Sequence, residues 1–345
     1  MQLSPHRNPW GNMRPDIHRA LLAVLLITFG SATTTAAQTK ARYRAPRNEY
    51  GQADLRGVWN FNSDVPLERP KAFADKKFFT REELAKEAQA RETGLDQVSK
   101  LAPVEIVDRH WLDYRAQVEN LRTSLIIYPE NGRVPQLLPG VQRTNLLQAI
   151  SDMKGTRPVR FLFGGIGKDG PEDRGLAERC IAGANTRPPY TPGFDSNYVQ
   201  IFQNADHVVL VGDGSINAIR IVPLDGRPHL RDNMRTWSGD SRGHWDGDTL
   251  VIETKNFNGR MQSFADAGTS AELIVTERFT RVSDKVIEYE ATVVDPKTFT
   301  DKIVMAFPMG LADVQMFESA CHEGNYSMPL TLSGARKEEQ DAAKK

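Results

Sequence analysis

The sequence predicts a mainly β protein built on an antiparallel barrel, with a helical and loop-rich insertion over residues 63–195. From Tyr198 onward, short apolar segments follow one another at close intervals with no long helical pattern between them, which is typical of an antiparallel barrel or sandwich. Residues 287–293 alternate strictly between apolar and polar side chains, as expected for a strand with one buried and one wet face. Ser283-Asp284 joins that strand to the preceding one as a tight hairpin.

The first 37 residues have the features of a secretory signal peptide rather than of a folded element. Arginines precede an apolar stretch over residues 20–29, and the small residues at 32–37 suit cleavage. The apolar stretch is about half of the roughly 20 residues needed to span a bilayer, so a membrane anchor is the weaker alternative. The sequence therefore predicts an exported protein, periplasmic or secreted, without stable membrane insertion.

Local signals predict the elements that come before the barrel strands. Residues 38–53 are expected to be a mobile leader, and residues 54–61 a short strand. Thr80 begins a helix with a capping box, and Gly94 is expected to end it. A second short helix is expected over residues 111–120.

A hairpin is predicted inside the insertion, because Asn131-Gly132 lies between apolar runs at 125–128 and 133–134. Residues 54–334 are expected to form one domain, followed by a charged tail at 335–345 that is disordered or a frayed helix. The remaining strands are expected at Tyr198–Gln203, His207–Val211, Ala218–Pro223, Arg235–Ser238, Thr249–Asn256, Leu273–Val282, Lys285–Asp295 and Lys302–Phe307.

Charge and cysteine content limit the functional classes. The 44 basic and 44 acidic residues balance, which excludes the electrostatic pattern of a nucleic-acid-binding protein. Cys180 and Cys321 are the two cysteines, and in an oxidising compartment such a pair more often forms a disulfide than two reactive thiols. Closing a loop of about 140 residues in this way would contribute ~4–5 kcal/mol.

The run from Gly239 to Ile252 places acidic turns, an arginine, a histidine and a tryptophan at the entrance to an apolar strand. Such groups at a strand entrance are typical of a ligand site. Arg242 is a candidate anion clamp, with a local ion pair to Asp240 or Asp246 as the alternative.

His244 and Trp245 point to opposite sides of an extended segment, so only one of them can face a pocket. Trp245 facing inward as a flat apolar wall is the preferred arrangement. The segment Asp246-Gly247-Asp248 is interpreted as a β-turn into the next strand.

Several long motifs carry a resemblance to a known group. They are Gly239–Leu250, Glu277–Arg281, Ala320–Tyr326, Glu178–Cys180 and Arg220–His229. Together they resemble a large group of exported bacterial proteins of unassigned function. The resemblance implies no reaction, but it implies that the two cysteines recur together. On a shorter motif, Gly57-x-Trp59 followed by hairpins resembles the opening of calycin (lipocalin-type) barrels.

The segment after Cys321 carries the candidate catalytic groups. His322 is a candidate general base or acid. Glu323 or Tyr326 would orient its imidazole or act as the second proton-transfer group. A capped turn whose histidine binds backbone is the alternative. The candidate substrate-binding residues are Asp240, His244, Trp245 and Asn325.

Other chemistries find little support in the sequence. The histidines are scattered without metal-binding spacing, so no metal site is predicted, although a calcium ion in an acidic loop is an alternative. The glycine run at 164–170 lacks the spacing of a phosphate loop. No Gly-x-Ser-x-Gly elbow occurs.

The predicted function is to bind or convert a hydrophobic or aromatic small molecule in a barrel pocket. The polar segment that contains Arg242 and the polar segment that contains His322 are expected to line the rim of that pocket. Acid/base chemistry without a cofactor is preferred, of the lyase, hydratase or isomerase type. His322 would move the proton and Arg242 would stabilise developing negative charge. A periplasmic carrier or sensor without turnover is the alternative.

Overall fold

The computed structural model describes residues 43–73, 75–101, 116–141, 143, 155, 157–193, 197–213, 218–265 and 267–345. The predicted signal segment and residues 111–115 of the second predicted helix lie outside the described residues, whereas residues 116–120 of that prediction are described and are not helical. The strands are β1 Gly57–Asn60, β2 Ile126–Tyr128, β3 Tyr198–Gln203, β4 His207–Gly212, β5 Ile219–Pro223, β6 Asp240–Asp246, β7 Thr249–Lys255, β8 Gln262–Phe264, β9 Ala267–Gly268, β10 Ile274–Ser283, β11 Val286–Val294 and β12 Ile303–Ala312. The helices are α1 Arg81–Leu101 and α2 Ser327–Ala342.

Nine strands form a nearly closed antiparallel barrel, in the order β5-β4-β3-β1-β12-β11-β10-β7-β6. The two end strands meet at a seam, where a Cβ atom added to Gly243 of β6 would lie 2.8 Å from Val222 of β5. A glycine at position 243 therefore lets the two edges approach. The predicted mainly β barrel is confirmed.

The hairpin of β10 and β11 follows the predicted alternation. Ile287, Tyr289, Ala291 and Val293 are fully buried, whereas the residues between them are partly exposed. Each large apolar side chain buried in this way contributes about 1.5–3 kcal/mol. The buried faces of all nine strands contribute to one apolar core.

Trp59 anchors β1 in that core. Its indole is fully buried and donates a hydrogen bond from Nε1 to the carbonyl oxygen of Leu55 at 2.8 Å. Gly57 has φ +135°, and a Cβ atom there would lie 2.9 Å from Leu311 of β12. The Gly-x-Trp motif is thus explained by close strand packing and a buried aromatic anchor.

One predicted strand is wrong, because residues 235–238 are not extended. Thr236 makes a single bridge to Phe257, and Gly239 then adopts φ +77°, which interrupts an extended chain. The strand next to β7 is β6 instead, so most of the polar run lies on a barrel strand.

The predicted hairpin at Asn131-Gly132 is also wrong, although the turn itself forms. Gly132 has φ +68° and its amide binds the carbonyl of Pro129. The chain after the turn is held by the segment at 68–69: Glu68 accepts from the amide of Val134, and Arg69 donates its amide to Gly132. β2 pairs with β12, which makes the insertion a contributor to the sheet.

The predicted capping box of α1 is confirmed. The amide of Glu83 donates to the Thr80 hydroxyl at 3.3 Å, and the amide of Thr80 donates to the Glu83 carboxylate at 2.8 Å. The helix continues through Gly94 to Leu101, because an internal glycine costs only about 1 kcal/mol relative to alanine.

Both ends of the predicted domain are more structured than expected. Residues 43–53 are bonded to the barrel, since the Gln52 side chain donates to the carbonyls of Asn204 and Ala205. At the other end the chain is helical to Ala342, and Arg336 binds the carbonyls of Lys168 and Asp169. Among the described residues, no helix is both long and apolar enough to cross a membrane.

Candidate functional site

The predicted polar run lies on β6, and its side chains alternate between the two faces of the barrel wall. Ser241 and Gly243 are buried, and Trp245 packs against the core from the same face, as predicted. The indole Nε1 of Trp245 is buried without a hydrogen-bond partner. His244 points outward and is exposed, so it does not share the inner face with Trp245.

The predicted disulfide between Cys180 and Cys321 is confirmed. The segment that follows is held in place by Asn325, whose side-chain amide donates to the carbonyl of Glu178 at 2.8 Å. Asn325 therefore has a structural role at this point, where the sequence predicted substrate binding. The disulfide and Asn325 together fasten the residues before α2 to the insertion.

His322, Glu323 and Tyr326 project from this fastened segment into solvent, and Tyr326 is 72% exposed. No hydrogen bond or ion pair joins them to Arg242 in the part of the chain that the structure describes. The expectation that the segments around Arg242 and His322 line one rim of the barrel stays a prediction. The disulfide at the neighbouring Cys321 holds the backbone near His322, but no described residue forms a hydrogen bond or ion pair with the imidazole.

Arg242 binds Asp240, the alternative that the sequence left open. Its Nη1 lies 2.6 Å from Oδ1 of Asp240, and its Nε donates to the carbonyl of Pro228 at 3.0 Å. Asp240 is buried although it points outward, because the loop between β5 and β6 covers it.

That loop brings His229 to Asp240. Nδ1 of His229 lies 2.8 Å from Oδ2 of Asp240, and the same oxygen accepts the amide of Leu230 at 2.9 Å. Nε2 of His229 lies 3.2 Å from Glu253 of β7. We call His229, Asp240, Arg242 and Glu253 the His229 cluster. Two carboxylates thus hold one imidazole by both of its nitrogens.

The His229 cluster is open on one side. The His229 side chain is 13% exposed, whereas that of Glu253 is 51% exposed. The adjoining loop also presents Leu230 and Met234 to solvent. The buried Asp240 therefore fixes the imidazole, and a small molecule could approach it from the side of the exposed Glu253. Leu230 and Met234 supply apolar surface on the adjoining loop.

Backbone geometry explains why the loop folds back onto β6. Gly226 turns the chain with φ +72°, and Asn256 at the end of β7 adopts φ +61°. From that position the Asn256 side chain donates to the carbonyl of Leu230 at 2.8 Å. Asparagine is among the residues that tolerate a left-handed backbone best.

A second polar group lies inside the barrel. Arg220 of β5 and Glu277 of β10 form a two-point ion pair with distances of 2.6 and 3.0 Å, and Glu277 is 0% exposed. The Tyr289 hydroxyl donates to Glu277 at 2.9 Å and accepts the amide of Tyr190 at 3.0 Å. The Tyr190 ring lies over the guanidinium, 5.1 Å from ring centre to Cζ.

Burial is the main cause of the pKa shifts of the two tyrosines in this inner group. It raises the pKa of Tyr190, and it raises the pKa of Tyr289 well above its usual value, further increased by the neighbouring Glu277 charge. Burial by itself disfavours the charged form of Arg220, but Glu277 outweighs that effect and holds the pKa of Arg220 above its usual value. Arg220 is therefore charged, while both phenols stay neutral.

The sequence contained a signal for the inner pair that the prediction did not use. Val275 and Phe279 are buried on β10, so Glu277 between them occupies an inward position. Arg220 has the same relation to Val222 on β5. A charged residue at an inward position of a strand requires a buried partner.

The described residues contain no group of three or more His, Cys, Asp and Glu side chains arranged to hold a metal ion. Comparisons with protein-family models, with curated proteins and with solved structures give no match. The resemblance to exported bacterial proteins of unassigned function thus stays a prediction.

Proposed function

We propose that this chain is an exported protein that acts on an apolar or aromatic small molecule by acid/base chemistry at the His229 cluster. The observation that carries the proposal is the contact of His229 Nδ1 with the buried Asp240, with Nε2 turned toward the half-exposed Glu253. The buried Asp240 fixes the ring through Nδ1, so Nε2 is the nitrogen that reaches a substrate when the half-exposed Glu253 side chain moves aside.

Each member of the cluster has a role that follows from its contacts. Asp240 orients the ring, and His229 takes a proton from one substrate atom and returns it to another. Glu253 is the exposed group that exchanges protons with solvent. The described hydrogen bonds of Arg242 use Nε and Nη1. Its Nη2 is therefore the donor that would stabilise negative charge developing on the substrate.

A proton taken from one substrate atom and returned to another defines a lyase, hydratase or isomerase type of reaction. Leu230 and Met234 are exposed on the same loop and would contact the apolar part of the substrate. Export is supported by the disulfide, since such bonds persist in oxidising compartments.

The test uses purified protein incubated with a metabolite extract and mass spectrometry of the bound and free pools. The proposal expects a product in excess over the protein for the wild type and for His322→Gln, and none for His229→Gln. His322→Gln is the matched control, because that histidine is exposed and lies outside the cluster.

Other outcomes decide against the proposal. A ligand recovered unchanged from the wild type in stoichiometric amounts supports a carrier or sensor instead. Equal turnover by the wild type and His229→Gln removes the imidazole from the mechanism. An extract from which nothing is bound or converted contradicts both the enzyme and the carrier.

A further inference from the structure

The outer face of β3, β4 and β5 lacks the charged side chains that the solvated face of an antiparallel sheet usually carries. On each of these strands the residues that alternate with the buried ones point outward. None of the outward positions holds an aspartate, glutamate, lysine or arginine. Five of them hold large apolar side chains, and we call these five the β3–β5 face: Phe202, Val209, Val211, Ile219 and Ile221.

The strand register brings the five side chains of the β3–β5 face together. Phe202 is paired with Val209, and Val209 in turn with Ile221. In the neighbouring row Val211 is paired with Ile219. Ile219 is 63% exposed and Ile221 is 62% exposed. Because paired residues of adjacent strands contact each other on one face of a sheet, the five side chains form one apolar patch.

The outer face of the β10–β11 hairpin shows how a solvated face of the same barrel differs. Its central outward positions hold charged and hydroxyl side chains, namely Thr276, Arg278, Thr280, Glu288, Glu290 and Thr292. Arg278 and Glu288 also form ion pairs with other elements there. The lack of charge is therefore a property of the β3–β5 face and not of the whole outer surface.

The segment after β12 adds apolar surface at one end of the β3–β5 face. The amide of Phe317 donates a hydrogen bond at 3.4 Å to the carboxylate of Asp213, the residue that follows β4. The Phe317 side chain is 73% exposed, and Val314 on the same segment is exposed as well. Two further apolar side chains thus lie on a segment that passes the end of β4.

The exposed apolar area is that of a protein interface. Phe202, Ile219, Ile221, Val314 and Phe317 each expose on the order of 100 Å², because a large aromatic side chain buries about 150–250 Å² when it is fully covered. The five together expose about 500 Å² of apolar surface. Since only about 60% of an interface is apolar, this corresponds to about 800 Å² per subunit, as in a stable complex of standard size.

We propose that the β3–β5 face, with Val314 and Phe317 at its end, binds the same surface of a second copy of this chain around a twofold axis. Such an interface brings residues near the axis opposite their own copies, where a charged residue would meet a like charge. The β3–β5 face holds no charge and meets its own copy without repulsion. It also has no lysine or arginine to attract anionic lipids, which disfavours a membrane surface as the partner.

Sedimentation velocity of the disulfide-bonded protein over about 1–100 μM tests the proposal. We expect the wild type to sediment as a dimer at the higher concentrations. Ile221→Lys should associate at least about a hundredfold more weakly, because the interface would then bury two uncompensated charges. Ile274→Lys is the matched control, since it makes the same substitution at an exposed isoleucine on the outer face of β10. It should associate as the wild type does.

A readout in the wild type covers the case in which Ile221→Lys fails to fold. Exposed side chains are labelled with a photoactivated carbene and analysed by mass spectrometry. Labelling of Ile219, Ile221 and Phe317 should fall as the concentration rises through the dimer range, whereas labelling of Ile274 should stay constant. The dimer is independent of the chemistry proposed at His229, so a failure of either proposal leaves the other standing.

Three results would overturn the proposed dimer. The first is a wild type that remains a monomer at the highest concentration, and its binding to phosphatidylcholine vesicles would then assign the β3–β5 face to a membrane. The second is a well-folded Ile221→Lys variant that associates as tightly as the wild type. The third is a dimer whose formation protects other side chains and leaves labelling of the β3–β5 face unchanged.

Discussion

Removing the charge of Glu277 should destabilise the barrel strongly. In Glu277→Gln the side chain keeps its size, but Arg220 stays buried with 4% of its side chain exposed and without a counter-charge. Breaking a buried ion pair from one side costs about 3–5 kcal/mol, because the remaining charge is left in a poorly polarisable interior. We expect a loss of that size in the free energy of unfolding.

Two further variants separate charge from packing. The double variant Arg220→Met with Glu277→Leu removes both charges and should recover most of the loss, less about 1 kcal/mol for the Tyr289 hydroxyl that then lacks its acceptor. Glu288→Gln on the outer face of β11 breaks a half-exposed pair with Arg122 and should cost less than about 1 kcal/mol.

The assay is guanidinium chloride unfolding of the disulfide-bonded protein, followed by circular dichroism and tryptophan fluorescence. Coincident transitions and similar m-values would show that the variants unfold as the wild type does. The reasoning fails if Glu277→Gln loses no more than Glu288→Gln, or if the double variant is less stable than the single one.

Three other outcomes are expected. Gly239 and Gly247 both have positive φ, but only at position 239 would a Cβ atom clash, lying 2.9 Å from a backbone oxygen. Gly239→Ala should therefore cost more than about 2 kcal/mol of stability, because it combines backbone strain with overpacking. Gly247→Ala should cost only the backbone strain of about 1 kcal/mol. Equal melting temperatures for the two variants would contradict this. Replacing Cys180 and Cys321 together by serine should cost ~4–5 kcal/mol in the unfolding assay, because a separation of 141 residues closes a long loop; an unchanged transition would show that the loop does not constrain the unfolded chain. The free energy of unfolding should fall at high pH, because the pKa of Tyr289 is raised above its usual 10 in the folded protein. The stabilisation from this group is present below pH 10 and is lost as the pH rises toward the folded-state pKa. Unfolding measured at rising pH should show this loss in the wild type and less of it in Tyr289→Phe.

The parts of the fold that the sequence predicted are those set by local periodicity. The alternation over residues 287–293 places β11 correctly, because a strand between two neighbours buries one complete face. The pairing of β2 with β12 was missed, because Asn131-Gly132 signals a turn but does not say which strand the preceding residues join.

The site was predicted in part for the same reason. Asp240, Arg242 and Trp245 lie on one strand, and alternation assigned Trp245 to the core correctly. His229 was missed, because its position depends on a loop that folds back over β6 and on the left-handed backbone of Asn256. No spacing rule in the sequence connects those residues.

The tautomer of His229 tests the proposed function most directly. Long-range nitrogen–proton correlation spectra of the imidazole should show the proton on Nδ1, the nitrogen that contacts Asp240. Asp240→Ala should abolish this pattern, and the exposed His322 serves as the internal reference. If His229 and His322 show the same tautomer in the wild type, Asp240 does not orient the imidazole and the proposed mechanism is wrong.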